Sequence, residues 1–336
     1  MSEMSTDSYT AVTAPPIKMR AARASLFEVR HAARTHTGLV REHNEDDFLT
    51  MPAVGVYMVA DGMGGHAAGK VASELCVEAV RSYYGDGDAS HALEEDQAHA
   101  ELSVEARDLA HALKIANAHI FQAALRDPLL ENMGTTAVAA ALFGDSVAIA
   151  HAGDSRCYLL RDGHLGRVTA DHSLANFLYA LGRTGEAQMA EVTMSHVIMR
   201  ALGLEPDVDI EAQEMVIRTG DRLLLCSDGL SDLVNDTRLQ GFLLDMSLDR
   251  DALCDALISA ALDEGGRDNI TVLVVDVMGR IGTDEKRAAH EETIEMPTIS
   301  GSSRDTADHN IVPPETAEAS DEASAEPSDA TGDPSD

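Results

Sequence analysis

The chain is poor in positive charge: 25 Lys+Arg stand against 58 Asp+Glu in 336 residues, a net charge of −33. Duplex nucleic acid and anionic membranes would repel such a surface, so neither is expected as a partner, whereas divalent cations are favoured. No apolar run approaches the length that crosses a bilayer, and the N-terminus lacks the apolar core of a signal peptide, so a cytoplasmic protein is expected. Cysteine is sparse. Cys76, Cys157, Cys226 and Cys254 are scattered without a C-x-x-C pair and read as reduced thiols that fill a core. None has Arg six positions later, which excludes a cysteine-nucleophile phosphate loop. Residues 281–336 lack aromatics and hold 15 acidic against 3 basic residues. Such a stretch cannot form a core and is expected to be a disordered acidic tail. The remainder keeps a charge of −21.

Two apolar runs stop at an Asp-Gly pair, YMVADGMGG at 57–65 and LLLCSDGL at 223–230. A tight hairpin turn is the ordinary reading of Asp-Gly, but no alternating strand follows either pair. After the first come Val71, Leu75, Ala79 and Val80 at helical spacing. After the second comes SDLVNDTRLQGFLLDM, with Asp236 placed to cap a helix. Strand, Asp-Gly, helix is therefore expected twice. Further strands are expected over 48–51, 135–143, 147–153, 156–163, 214–217, 221–226 and 270–277. Helical periodicity covers 67–84, 103–125 and 250–264. Residues 85–101 read as a polar insertion and 172–196 as an irregular helical excursion. The organisation expected is an N-terminal flexible arm (1–24), one domain (25–280) and the tail (281–336), with no internal repeat.

Acids gather at the ends of these strands. REHNEDDF (41–48) holds Glu42, Glu45, Asp46 and Asp47; Asp268 precedes ITVLVV; Asp154 follows the apolar run in HAGDSRCYL. One such acid is ordinarily a solvated loop residue or a helix cap. Asp46, Asp61, Asp228, Asp268 and Asp154 share one setting, however, each at a strand edge with glycine close by. Carboxylates collected at one end of a sheet repel one another, and a pair of divalent cations removes that penalty. Hard oxygen donors suit Mg²⁺ or Mn²⁺ rather than Zn²⁺, and glycine beside the acid lets a backbone carbonyl reach the ion. Two rival phosphate motifs fail in context. Gly64–Lys70 reads G-x-x-x-x-G-K, but Val71 replaces the metal-binding Ser/Thr. GMGGHA fits a dinucleotide turn, but its helix runs into GDGDAS rather than into a second strand ending in an acid.

In order along the chain, RxxNED (41–46), DGMGG (61–65), GTT (134–136), GDSR (153–156), SDGL (227–230) and RDNITVLVV (267–275) resemble the metal-dependent, type 2C serine/threonine protein phosphatases of the bacterial branch. The resemblance runs from about Phe27 to Val277. It implies an α+β fold, a four-layer α-β-β-α sandwich of two antiparallel sheets flanked by helix pairs, with a flap over about 172–203. It implies two Mn²⁺ or Mg²⁺ ions, with Asp61 bridging them, the Gly62 carbonyl on one, and Asp228 and Asp268 on the other. Glu45 and Asp46 would act directly or through water, and Asp154 matches a third, weaker site. Arg41 would hold the phosphate, its ordinary alternative being an ion pair with neighbouring acids. Water acidified between the ions would attack phosphoserine or phosphothreonine in line.

Met63 stands where animal relatives place a histidine proposed to protonate the leaving group, which leaves that role open. His66 reads as a structural residue, and His196 replaces an asparagine common in bacterial relatives. The implied partners are phosphorylated proteins and a cognate Ser/Thr kinase, with the protein itself a monomer. Thr293 and Thr298 in the tail offer a site for a phosphothreonine-reading domain. THTGLVREHNEDDF is similar to phosphatases that regulate type VI secretion. The alternatives are a catalytically dead phosphoprotein scaffold and a metal-dependent nuclease.

Overall fold

The computed structural model describes residues 24–64, 68–85, 99–185, 188 and 197–281. Nearly all of the arm and tail, most of the 85–101 insertion, His66, His196, Thr293 and Thr298 lie outside the described residues.

Eleven strands form two antiparallel sheets among the described residues. One runs in the order β1 (Phe27–His36), β11 (Ile270–Arg280), β10 (Arg222–Cys226), β7 (Arg156–Arg161) and β8 (His164–Arg167). The other runs β2 (Asp46–Met51), β3 (Val56–Met63), β5 (Ala137–Phe143), β6 (Ser146–Ala152) and β9 (Glu211–Val216), with the short β4 (Gly134–Thr135) paired to β3.

The unbroken apolar runs of β10 and β11 are explained by what covers each face. Leu223, Leu225, Leu273 and Val275 point inward and meet Tyr57, Val59, Val138 and Ile149 of the other sheet. Leu224, Cys226, Val272 and Val274 point outward and pack with Leu239 and Leu243 of α5 (Asp236–Leu244) and Leu253 and Leu257 of α6 (Arg250–Asp263). Side chains alternate across a strand, so a strand covered on both faces shows no polar alternation.

The second sheet repeats the arrangement. Its outer face is largely alanine (Ala60, Ala139, Ala141, Ala148, Ala150), and α1 (Ala68–Gly85) and α2 (Val104–Arg126) pack on it. The result is the four-layer α-β-β-α sandwich that the resemblance implied. All four cysteines are buried free thiols.

Several expectations need correction. The strand carrying the first Asp-Gly continues through the pair to Met63. The second pair opens only a short helix, α4 (Asp228–Ser231), before α5. Asp236 is not the cap of α5: the Asn235 side chain accepts from the Arg238 amide at 3.1 Å, and Asp236 sits in the first turn, where its charge suits the positive helix end. β1 was not among the expected strands. It is an edge strand with only two buried positions, so its sequence alternates weakly. The 172–203 excursion contains α3 (Leu174–Ala180), capped by Ser173. Its roots are joined by backbone bonds from Leu174 to Val197 (3.0 Å) and from Met199 to His172 (2.7 Å).

Candidate metal centre

Asp46 opens β2 and stands opposite Asp61 of β3 in the strand register. Its Oδ2 accepts from Ser227 Oγ at 2.8 Å and Thr271 Oγ1 at 2.7 Å. Ser227 directly follows β10 and Thr271 lies in β11, so one carboxylate oxygen stitches the two sheets together at their acidic end. The other oxygen, Asp46 Oδ1, is buried with no hydrogen-bond partner, as are Asp154 Oδ1 and Asp228 Oδ1.

These carboxylates stand in unfavourable surroundings. Burial raises the pKa of Asp61 well above the usual carboxylate range, and the charges of Asp46, Asp228, Asp154 and Asp268 raise it further. Asp228 is raised in the same way by burial and then by Asp154, Asp232, Asp268 and Asp46. Burial lifts Asp46 to about 6 against the hydrogen bonds from Thr271 and Ser227. It also lifts Asp154 to about 6.

The backbone around Asp61 is fixed by the GTT segment. The Asp61 carbonyl accepts from the Thr136 amide (2.8 Å) and from Thr135 Oγ1 (2.9 Å). Thr136 Oγ1 accepts from the Asp61 amide at 3.3 Å and shares a 2.7 Å bond with Ser155 Oγ, beside Asp154. The Gly62 amide donates to the Glu45 carbonyl at 3.2 Å. A Cβ at Gly62 would run into the carbonyl oxygens of Gly69 and Glu45, so only glycine lets β3 and α1 meet here.

Asn269 holds the 37–45 loop. Its amide nitrogen donates to the Thr37 and His43 carbonyls, both at 2.9 Å, and its oxygen accepts from the Glu45 amide at 2.8 Å. Arg41, on that loop, donates to Asp268 Oδ2 at 2.7 Å. That is the ion pair of its ordinary reading, and both partners line a cleft of about 500 Å³, with Asp228, Asp232 and Arg267.

Of the residues singled out in the sequence, Asp46, Asp61, Asp154, Asp228 and Asp268 are therefore brought within one electrostatic cluster. The carboxylate of Glu45 lies beside Gly69. Asp232 was missed, although it raises the pKa of both Asp228 and Asp154. Its signal was present as a second acid four residues after Asp228, one helical turn away.

The donor set fits a divalent cation. Buried carboxylate oxygens without partners are uncommon and call for a counter-ion. Here the oxygens are hard, carboxylate or carbonyl, as Mg²⁺ and Mn²⁺ prefer.

Comparison with known proteins agrees. Residues 36–257 match the family described as protein phosphatase 2C. The serine/threonine protein phosphatase PstP of Mycobacterium tuberculosis is 39% identical over 258 residues, 76% of this chain and 46% of PstP, so the chain spans about half the length of that relative. A serine/threonine phosphatase Stp of Listeria welshimeri is 36% identical over 247 residues, 72% of this chain and 94% of Stp. The solved catalytic domain of PstP in complex with 2 manganese ions aligns with a TM-score of 0.62 at 37% identity, covering 74% of this chain and 98% of that one. PppA of Pseudomonas aeruginosa, described as a regulatory component of type VI secretion, aligns with a TM-score of 0.62 at 33% identity over 74% of this chain and 98% of its own. Comparable likeness to PstP means that similarity does not single out the secretion regulators. The chain belongs to the protein phosphatase 2C family.

Proposed function

We propose that this chain is a Mn²⁺- or Mg²⁺-dependent protein phosphatase acting on phosphoserine and phosphothreonine. The observation that carries the reading is the set of buried, unpartnered oxygens on Asp46, Asp154 and Asp228 around Asp61. Asp61, the Gly62 carbonyl, Asp228 and Asp268 would hold two ions, with Glu45 and Asp46 completing the shell and Asp154 serving a third, weaker position. The bound ions would supply an acidified water and shield the phosphate charge.

The protein's own groups do the rest. Arg41 offers a planar guanidinium to two phosphate oxygens once it leaves Asp268. Ser227 and Thr271 hold Asp46 by one oxygen and leave the other, buried, without a hydrogen-bond partner. Thr135 and Thr136 fix the backbone of Asp61. Met63 has no proton to give, so the acid for the leaving oxygen is water or another residue.

The buried free thiols suit a reducing compartment, and we place the protein in the cytoplasm, opposite a Ser/Thr kinase. Thr293 and Thr298 are where such a kinase would write a mark for a phosphothreonine-reading domain. The relatives described above are phosphatases by name and lend nothing to the scaffold or nuclease alternatives.

Hydrolysis of para-nitrophenyl phosphate with Mn²⁺ tests the reading. Asp61→Asn and Asp228→Asn should each lower turnover by about a hundredfold or more. Undiminished turnover in both variants would reject it.

A further inference from the structure

Away from the acid cluster, His151 on β6, His172 at the root of the 172–203 excursion and Glu211 on β9 bring their donor atoms within 4.8 Å of one another. The two imidazoles are stacked, with centroids 4.5 Å apart. A transition-metal site is the obvious reading, and the hydrogen bonds argue against it. The Gly153 amide donates to His172 Nδ1 at 3.2 Å. That nitrogen therefore carries no proton, and in a neutral ring the proton sits on Nε2. Nε2 faces Glu211 Oε2 at 3.2 Å and Arg200 Nη1 at 3.4 Å. A metal on Nε2 would require an imidazolate and would sit against a guanidinium.

The same bonds give His172 another task. Its backbone amide donates to the Gly153 carbonyl at 2.9 Å while its Nδ1 takes the Gly153 amide, so one residue holds both polar groups of Gly153. Gly153 has φ +110°, and a Cβ there would strike Thr136 at 2.5 Å. The turn is thus clamped between His172 on one side and Thr136 on the other, and its next residue is Asp154. His172 is oriented in turn by Glu211 and by the stack on His151, whose Nε2 is bonded to the Ala170 carbonyl at 2.9 Å.

We propose that His172 is a positioning residue that fixes the Asp154 carboxylate by holding both backbone groups of Gly153, tying the root of the 172–203 excursion to the metal centre. This rests on the assignment of Asp154 to that centre.

Two near-isosteric variants separate positioning from bulk. Asn at 172 places an oxygen near the former Nδ1 and keeps an acceptor for Gly153. Gln places its amide near the former Nε2 and keeps the link to Glu211 but not the acceptor. The full chain should show, by ¹⁵N-histidine NMR, an unprotonated Nδ1 and a protonated Nε2 at His172, with a slowly exchanging Gly153 amide. His172→Asn should preserve that protection. His172→Gln should lose it and raise the Mn²⁺ concentration for half-maximal activity on the order of tenfold, with circular dichroism verifying the fold of both. Equal behaviour of the two variants, or a rapidly exchanging Gly153 amide in the wild type, overturns the proposal. Stoichiometric Zn²⁺ binding that shifts Nε2 in an Asp61→Asn, Asp228→Asn background also overturns it, in favour of a metal site. A wild type that hydrolyses no phosphate ester would count against the proposed function, while the Gly153 exchange data would still decide the role of His172.

Discussion

The surroundings of Asp61 disfavour its charge. Burial and four neighbouring acids raise its pKa, so in the metal-free protein its charge opposes folding. The acid that the proposed reaction would use is thus a liability to the empty fold. Asp61→Asn removes the charge and keeps the shape. The variant should be inactive yet melt at a higher temperature than the wild type in EDTA at pH 7, and a lower melting temperature would contradict this account. Asp46 illustrates the sign with numbers. Its folded value of about 6 lies above the ordinary 3.8, so its share of stability is present below about pH 4 and lost as pH rises through about 6. Asp46→Asn should therefore matter less in EDTA at pH 4 than at pH 7, although the weaker acceptance of a neutral amide oxygen from Ser227 and Thr271 will offset part of the gain. Asp232 shows why one acid escaped notice in the sequence. It ends no strand, and its bearing on Asp154 emerges only when these distant segments of the chain come together.

At the scale of elements, the acidic end of the sandwich depends on close backbone approach. Gly62→Ala would drive a methyl group into the Gly69 and Glu45 carbonyls and prise β3 from α1. Destabilisation of about 1–3 kcal/mol is expected from such overpacking, read as a lower urea midpoint with unchanged slope. Elements with both faces covered were plain in the sequence, as with β10 and β11, where Leu223–Cys226 and Val272–Val275 are apolar on the inward and the outward face alike. β1 was obscured because an edge strand need bury little. The candidate acids were legible for a physical reason: each stands at the edge of a strand, and carboxylates gathered there need a partner. The threonines and Asn269 that orient them were not, because hydroxyl and amide side chains make these bonds only after distant strands align. Asp236 and Asn235 differ by one position because either side chain can cap a helix, and the local sequence alone does not choose between them.

For the whole molecule, the two sheets are joined by an apolar interior and by one buried carboxylate, and ions at that end should consolidate both. Adding Mn²⁺ at pH 7 should raise the melting temperature, with about 2.7 kcal/mol of stabilisation per site at a hundredfold excess over Kd. The shift should shrink towards pH 5, as protons compete for Asp46 and Asp154, and vanish in Asp61→Asn. A shift that is independent of pH would show that the ions bind elsewhere. The cysteines carry a last consequence. All four are buried, and burial pushes the thiols of Cys76, Cys226 and Cys254 up to about 12 and Cys157 upward as well. Almost no thiolate exists at neutral pH. Peroxide and iodoacetamide, which silence phosphatases built on a reactive sulfur, should leave the four thiols of the native protein unmodified. If the proposed activity holds, a cell under oxidative stress would keep this route of dephosphorylation open while thiol-dependent routes close.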